Sequence, residues 1–445
     1  MRRWILPLAA ALGAAIGCAA PPADNLLLVV LDTTRADRLS AYGYPPPTSP
    51  ALAALAARGT LFTRAYAHVP STLPSHASLF TGLLPPAHGV RANGRFRLAA
   101  AHRTLAEILQ DAGFDTAAFA GALPIDARFG LDQGFALYDG DFSGSRAELS
   151  GSRASAGVWL GHDFRVFERP ADQVTDRALA WLAERRQRPW FLFVHYFDPH
   201  RPWAAPAPWS ERFADPYDAE IAFADHQLGR LLAAVDALPG RTLAVVTADH
   251  GEGLGDHGED AHNRYLYDST LRVPLVAALA GQARGGVEGS VVDVPVAHVD
   301  VLPTVLELLG VAGGDVAGRG GRSLAAALRG AAAPEPRPIY GETLEWTLGI
   351  DRGIAVRALV DGRYKLVRSD VEEDDGGFSV LELYDLEADP AETANLARHD
   401  APRRDRLAQA LAAWTRRLEA EAYPAEGYHL DPETLEGLRS LGYLR

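Results

Sequence analysis

Three stretches of the chain carry residue types that do chemistry. Asp32 follows directly on the apolar run Leu26 to Leu31, and Asp249-His250 follows the run Leu243 to Thr247. In an open α/β sheet ligands sit at the carboxyl ends of strands, so these side chains can converge although they lie far apart in sequence. An aspartate after a strand is, on its own, most simply a helix cap. Asp249-His250-Gly251-Glu252-Gly253 resists that reading, because two adjacent metal-type ligands flanked by glycine serve no packing purpose. Between them lies Ser71-Thr72-Leu73-Pro74. Pro74 suits the first turn of a helix, which puts Thr72 at its N-terminus, where free amides and the macrodipole favour a negative oxygen. Thr72 there reads as an N-cap or as a nucleophile, and the two roles are compatible.

The elements that must position these residues are legible as apolar periodicity. Leu26 to Leu31, Thr116 to Ala120, Trp190 to Phe197 and Leu243 to Thr247 read as buried strands of a parallel sheet. Ser49 to Arg58, Thr104 to Ala112, Asp172 to Arg186 and Asp218 to Leu238 place apolar residues at three- and four-residue spacing and read as helices. This alternation predicts an α/β fold with its sheet covered on both faces. Asp141 to Asp172, rich in Gly, Ser and Arg, reads as a loop inserted near the site mouth. The Gly-rich stretch Gly310 to Gly321 and the Ala/Pro-rich stretch Ala331 to Pro338 place a boundary near residue 335. Beyond it, Ile354 to Val360 and Tyr364 to Arg368 read as a hairpin turning at Asp361-Gly362, and Ala401 to Glu421 as an amphipathic helix.

Composition narrows the class. The chain has 445 residues, 48% hydrophobic and 22% charged, enough for a continuous core and unlike a disordered segment. A net charge of -14 without a long basic run argues against nucleic acid as a partner. The one cysteine, Cys18, leaves neither disulfides nor a cysteine metal cage to hold the fold, and lysine occurs only at Lys365. Met1-Arg2-Arg3 and the apolar stretch Trp4 to Ile16 read as an export signal within residues 1–24. Ala15-Ile16-Gly17-Cys18 resembles a bacterial lipobox, with cleavage near Ala20 as the alternative. The expected location is therefore periplasmic or on the outer surface, with membrane attachment through a lipid at Cys18.

Further motifs carry a family resemblance. They are Val30-Leu31-Asp32-Thr33-Thr34-Arg35-Ala36-Asp37, Thr72 to Gly82, Phe197-Asp198-Pro199-His200-Arg201-Pro202, Asp249-His250-Gly251-Glu252, Leu271-Arg272-Val273-Pro274-Leu275 and Leu383-Tyr384-Asp385-Leu386. In this order they resemble the sulfatase family of the alkaline phosphatase superfamily over nearly all of residues 25–445. The resemblance implies a large mixed, mostly parallel sheet sandwiched by helices (residues 25–335) and a small C-terminal α+β subdomain on a four-stranded antiparallel sheet (residues 336–445). It also implies one divalent metal held by Asp32, Asp249, His250 and the Thr72 oxygen. His200 and His262 would be catalytic, and Asn93 and His76 would contact substrate.

The departures from that family are chemical. Sulfatases oxidise a cysteine or serine to formylglycine, and Thr72, at that position, cannot follow the route; Ser71 is one residue out of register. His76 stands for the signature arginine and His262 for the lysine after the Asp-x-Gly-Glu motif. His250 and Thr33 replace an amide and an aspartate, which shifts the expected metal from calcium toward zinc or manganese. Asp198, His200 and His262 offer the alternative of a second metal. The pattern resembles the superfamily's threonine branch, which includes phosphodiesterases and the phosphoethanolamine and glycerophosphate transferases. The expectation is an exported hydrolase of a small anionic ester or of a glycan- or lipid-derived substrate, leaning to phosphate mono- or diesters. A genuine sulfatase, a headgroup transferase and an inactive binding module are the alternatives. Asp256, His257, Glu259 and Asp260 read as a solvated loop, and His68, His88, His102, His162 and His195 carry no expected role. Trp159, Trp203, Trp209 and Trp346 read equally as stacking platforms or packing residues.

Overall fold

The apolar run at the start forms strand β1 (Asn25–Leu31), buried along its whole length. Leu26, Leu28 and Val30 enter one core while Leu27, Val29 and Leu31 enter another, so the run must be apolar at every position. The computed structural model describes residues 22–142, 158–159, 162–163, 168–184, 188–281, 289–313, 319–345, 354–371, 377–427, 432 and 435. Residues 1–21 of the expected export signal, with Cys18, most of the expected inserted loop and Trp346 lie outside these residues.

Among the described residues the main sheet has nine strands. After β1 come β2 (Thr60–Tyr66), β3 (Asp115–Phe119), β4 (Leu137–Asp139), β5 (Trp190–Tyr196), β6 (Thr242–Ala248), β7 (Arg272–Ala280), β8 (Ser290–Val292) and β9 (Val296–Ala297). Their spatial order is β8-β2-β7-β6-β1-β5-β3-β4, with β9 paired to β2. The four strands expected from sequence, β6, β1, β5 and β3, are neighbours and run parallel. The sheet is mixed because β7 runs antiparallel to both β6 and β2. The apolar pattern does not reveal β2, since Thr63 and Arg64 interrupt it at half-buried positions.

Helices α1 (Pro50–Ala56), α4 (Ala171–Glu184) and α5 (Pro216–Ala237) cover one face. On the other face lie α2 (Thr72–Thr81), α3 (Leu105–Asp111) and α6 (Val301–Leu309). α3 opens with a capping box in which Thr104 and Glu107 satisfy each other's backbone amides. The pairing Leu31↔Ala248 and Leu31↔Tyr196 brings the carboxyl ends of β1, β6 and β5 level. Asp32 and Asp249, the next residues of two of these strands, therefore leave the sheet at the same height.

Strands β10 (Ile339–Glu345), β11 (Ile354–Asp361), β12 (Tyr364–Val371) and β13 (Phe378–Asp385) form a second, wholly antiparallel sheet in that order. The expected hairpin is β11-β12; it turns through Gly362 at φ 62°, a left-handed conformation suited to glycine. Helix α7 (Ala401–Ala420) buries Leu407, Leu411 and Leu418. Among the described residues no helix is long and apolar enough to cross a membrane.

The single lysine joins the two sheets. Lys365, on β12, is fully buried with its Nζ 2.7 Å from Asp268 Oδ1 and 2.8 Å from Glu392 Oε1. Truncating it strands two carboxylates away from water. Lys365→Ala is expected to destabilise the protein by about 3–5 kcal/mol, read from urea unfolding. A loss below about 1 kcal/mol would show that water reaches these carboxylates and that the pair behaves as an exposed one.

Candidate functional site

Asp32 and Asp249 lie side by side, both fully buried. Asp249 Oδ1 accepts the backbone N–H of Thr33 at 3.1 Å and of His250 at 2.8 Å. Thr33 sits at φ 49°, unusual for a β-branched residue, and this bend turns its amide onto Asp249. Asp32 Oδ2 accepts from His195 Nε2 at 3.0 Å. His195 Nδ1 in turn accepts the N–H of Gly121 at 3.3 Å, which fixes the tautomer with the proton on Nε2. Residue 121 must be glycine for this contact, because a Cβ there would lie 2.6 Å from the His195 carbonyl oxygen.

The remaining oxygens define what the site lacks. Asp32 Oδ1 and Asp249 Oδ2 are buried without a hydrogen-bond partner. Burial, and then the charge of Asp249, push the Asp32 carboxyl well above the usual carboxylate range. Burial acts upward on Asp249 too, but the imidazoles of His250, His76 and His195 hold it below its ordinary value. Two carboxylates so placed resist carrying two charges together unless a cation joins them. Asp32, Asp249 and His250 present ligand atoms within 4.8 Å of one another, as do His76, His195 and Asp249. This donor set of carboxylates and imidazole fits a divalent cation.

Thr72 is the first residue of α2 and is fully buried, its Oγ1 3.4 Å from His250 Nε2. His250 donates its Nδ1–H to Gly251 O at 2.9 Å, so Nε2 is the nitrogen turned to the cluster. The cap position belongs to Ser71, whose side chain makes no capping bond. Asn93 does the capping, its Oδ1 accepting the Leu73 N–H at 2.7 Å. The helix start is thus less open than the sequence suggests, since Leu73's amide is taken and Pro74 has none. The positive end of the helix dipole still falls at Thr72.

His76 lies within the cluster rather than at its mouth. It is fully buried, donates Nδ1–H to Thr72 O at 2.8 Å and packs edge-on against Phe193 and His195. The residue expected to contact substrate thus stands among the buried ligand-type side chains, next to His195 and Asp249. Asn93 keeps its amide nitrogen without a partner among the described residues, two N–H groups beside α2's first turn.

His200 and His262 stand next to the cluster, with ring centroids 5.3 Å apart and His262 4.5 Å from His250. His200 donates Nδ1–H to Arg201 O at 2.6 Å and stacks on Phe197 at 4.3 Å. His262 Nδ1 lies 3.4 Å from Glu252 Oε1. Burial holds both imidazoles low, His200 at about 3 and His262 at about 4, so both are neutral near pH 7. Asp198 is drawn elsewhere: its Oδ1 accepts the Ala171 N–H at the start of α4, and it joins neither cation group.

Two participants carried no expected role. His195 hides in a strand buried on both faces, where one histidine among Phe, Val and Tyr reads as core; its signal is its place one residue before the end of β5, level with β1. Glu252 appears only as part of a motif, yet it is buried and aligns His262. The segment 256–260 is not uniformly solvated either: Glu259 is buried and accepts the N–H groups of Arg264 and Tyr265, and Asp256 pairs with Arg35.

Comparison with known proteins follows the same lines. Residues 24–311 match the Sulfatase family model, and residues 255–420 match the model described as N-sulphoglucosamine sulphohydrolase, C-terminal. The Uncharacterized sulfatase YidJ of Escherichia coli (strain K12) is 26% identical over 435 residues, covering 84% of this chain and 82% of that protein. The Delta 4,5-hexuronate-2-O-sulfatase of Bacteroides thetaiotaomicron is 26% identical over 430 residues, covering 84% of each. The crystal structure of the phosphonate monoester hydrolase of Agrobacterium radiobacter superposes with a TM-score of 0.69 at 23% identity, covering 89% of this chain and 96% of that one.

His195 is the sharpest test of this geometry. His195→Ala removes the donor that orients Asp32 and is expected to weaken zinc binding about tenfold to a hundredfold, measured by competition with a chromogenic chelator. Unchanged zinc affinity would show that Asp32 needs no such support.

Proposed function

The chain belongs to the sulfatase family and is a sulfuric or phosphoric ester hydrolase, and from that premise we propose that it cleaves phosphate mono- or diesters through a covalent intermediate on Thr72. The observation that carries this reading is the Thr72 hydroxyl itself, fully buried at a helix start, 3.4 Å from His250 and bonded to Asp32. A threonine oxygen can attack but cannot become an aldehyde hydrate. The formylglycine route, which expels sulfate by collapse of that hydrate, is closed to it. A sulfothreonine would have to be cleared by a second attack at sulfur, whereas a phosphothreonine is cleared by ordinary in-line displacement at phosphorus. The place of Lys365 supports the choice: the chain's one ammonium is locked between Asp268 and Glu392 and does not serve the site.

Asp32, Asp249, His250 and the Thr72 oxygen would hold the divalent metal, which when bound supplies Lewis-acid stabilisation of the developing charge. The chain's own residues do the rest. Asp32 accepts the hydrogen bond of the Thr72 hydroxyl and orients Oγ1. Oγ1 attacks phosphorus in line as its proton passes to Asp32, the bond to the ester oxygen breaks, and the leaving group departs as its oxyanion and is protonated by water. His200 and His262 are each anchored through Nδ1, so the lone pair on Nε2 is the working atom of both. Asn93 offers its amide N–H groups to a nonbridging oxygen. Water then attacks the same phosphorus and gives a proton to Nε2 of His200 or His262, the bond to Oγ1 breaks, Oγ1 regains its proton from Asp32, and the phosphate product leaves.

A second reading keeps sulfate as the transferred group, favoured by the sulfatase relatives. The 2-O-sulfatase among them supports a glycan-derived leaving group. The charged and apolar start of the chain supports export, with Cys18 as the point of lipid attachment.

Matched aryl phosphate monoester, phosphate diester and sulfate decide between the readings. With zinc or manganese supplied, a phosphate ester is expected to be hydrolysed fastest, and Thr72→Ala to lose about a thousandfold or more in kcat. A quenched reaction should yield the Thr72 peptide phosphorylated. Faster turnover of the sulfate would favour the second reading, and near-normal turnover by Thr72→Ala would remove Thr72 as the nucleophile.

A further inference from the structure

An ester anion entering this site meets three buried carboxylates, Asp32, Asp249 and Glu252, and imidazoles that are neutral near pH 7. Even with a divalent cation in place, the side chains facing it are short of positive charge. Several guanidinium groups of the same layer are committed to carboxylates of their own. Arg35 is tied to Asp37, Asp256 and the carbonyls of Glu252 and Gly253. Arg91 is held by Glu342 and Arg128 by Asp126.

Arg201 differs. Among the described residues no carboxylate pairs with it, and its Nε is buried without a hydrogen-bond partner. It follows His200 directly, and its own carbonyl holds the His200 ring. Its charge is felt at both Glu252 and His262, which places it at the site. The guanidinium lies 4.5 Å from the centroid of the Trp203 ring. Trp203 is itself fixed, donating Nε1–H to Pro199 O at 2.8 Å and packing on Tyr217. Stacking of this kind restrains a guanidinium while leaving its edge N–H groups to bind two oxygens at once. A half-buried cation held by an aromatic face and given no anion of its own is arranged for one that arrives with a ligand.

We propose that Arg201, braced by Trp203, binds a pair of anionic oxygens on the substrate and so sets the enzyme's preference for charged esters. The inference rests on the ester-hydrolase reading of the site. The oxygens are either the nonbridging pair of the transferred group or a carboxylate on the leaving group. Both present the same planar or near-planar oxygen pair to the guanidinium fork.

Calorimetric titration of the full, metal-loaded protein with inorganic phosphate, sulfate and benzoate tests this without needing turnover. Arg201→Gln is expected to weaken binding of at least one of these anions about tenfold or more, and Arg201→Lys to recover part of the loss. Steady-state rates on phenyl phosphate and 4-carboxyphenyl phosphate identify the source. An equal rise in KM for both points to the transferred group, and a rise confined to the carboxylated ester points to the leaving group. Unchanged affinities and KM values in Arg201→Gln would overturn the proposal, as would a fall in kcat alone, which would mean that the residue acts only through His200. Thr72→Ala separates this inference from its premise: it abolishes turnover if Thr72 is the nucleophile, yet should keep the Arg201-dependent anion affinity. If no ester is hydrolysed by any form of the protein, the titrations still decide on Arg201.

Discussion

Two carboxylates held together in a dry interior are the constraint on which this structure turns. Burying either charge alone costs several kcal/mol, and placing Asp32 beside Asp249 adds their mutual repulsion. The surroundings offset that cost piece by piece. Backbone amides of Thr33 and His250 converge on one carboxylate, a histidine donates to the other, and three imidazoles face the pair. Two oxygens remain without donors. That residue of unmet electrostatics is what a divalent cation answers, and it explains why so many histidines of a strongly acidic protein collect at one end of one sheet.

The fold supplies the proximity. Parallel strands in register bring residues from opposite ends of the catalytic layer to a common edge, with no loop having to find its partner. The edge is then stiffened by close approaches that only glycine permits. Gly121 lets a backbone amide reach His195, and at Gly251 a Cβ would lie 2.0 Å from the Ser269 carbonyl oxygen, so the turn after His250 is packed against the chain entering β7. The second sheet is fastened to the same region, because Asp268, one partner of Lys365, belongs to that same entering segment. A disturbance at the lysine therefore has a short path to the turn that carries the metal-type ligands.

The parts of this arrangement that could be read from sequence are those where position alone carries meaning. Asp32 and Asp249-His250 declare themselves by following uninterrupted apolar runs, because a strand buried on both faces leaves no other place for a charge. Thr72 is legible through Pro74, which marks a helix start. His195 is not legible, since a neutral histidine one position inside such a strand is compatible with packing, and its donor role depends on a neighbour strand's register. Asn93 was legible only through resemblance; its capping of α2 depends on a loop returning to the helix, a contact no local pattern encodes. The antiparallel β7 shows in the sequence as the motif Leu271 to Leu275 and not as a strand, so the mixed character of the sheet is legible only through the family resemblance.

The identity of the nucleophile bears on the electrostatics in a way that reaches beyond Thr72. A formylglycine hydrate provides its own exit for the sulfate, so a sulfatase site can hold its anion firmly with lysines. A threonine site must release the same anion by a second in-line attack, which requires water to approach opposite Oγ1 while the transferred group stays oriented. In the proposed reaction, neutral imidazoles at His200 and His262, where charge would otherwise sit, would loosen the grip on the departing anion. Their Nε2 lone pairs would also take up the proton of the attacking water. A site lined by histidine in place of lysine is thus the counterpart of a threonine in place of a formylglycine, and the two substitutions make chemical sense only together.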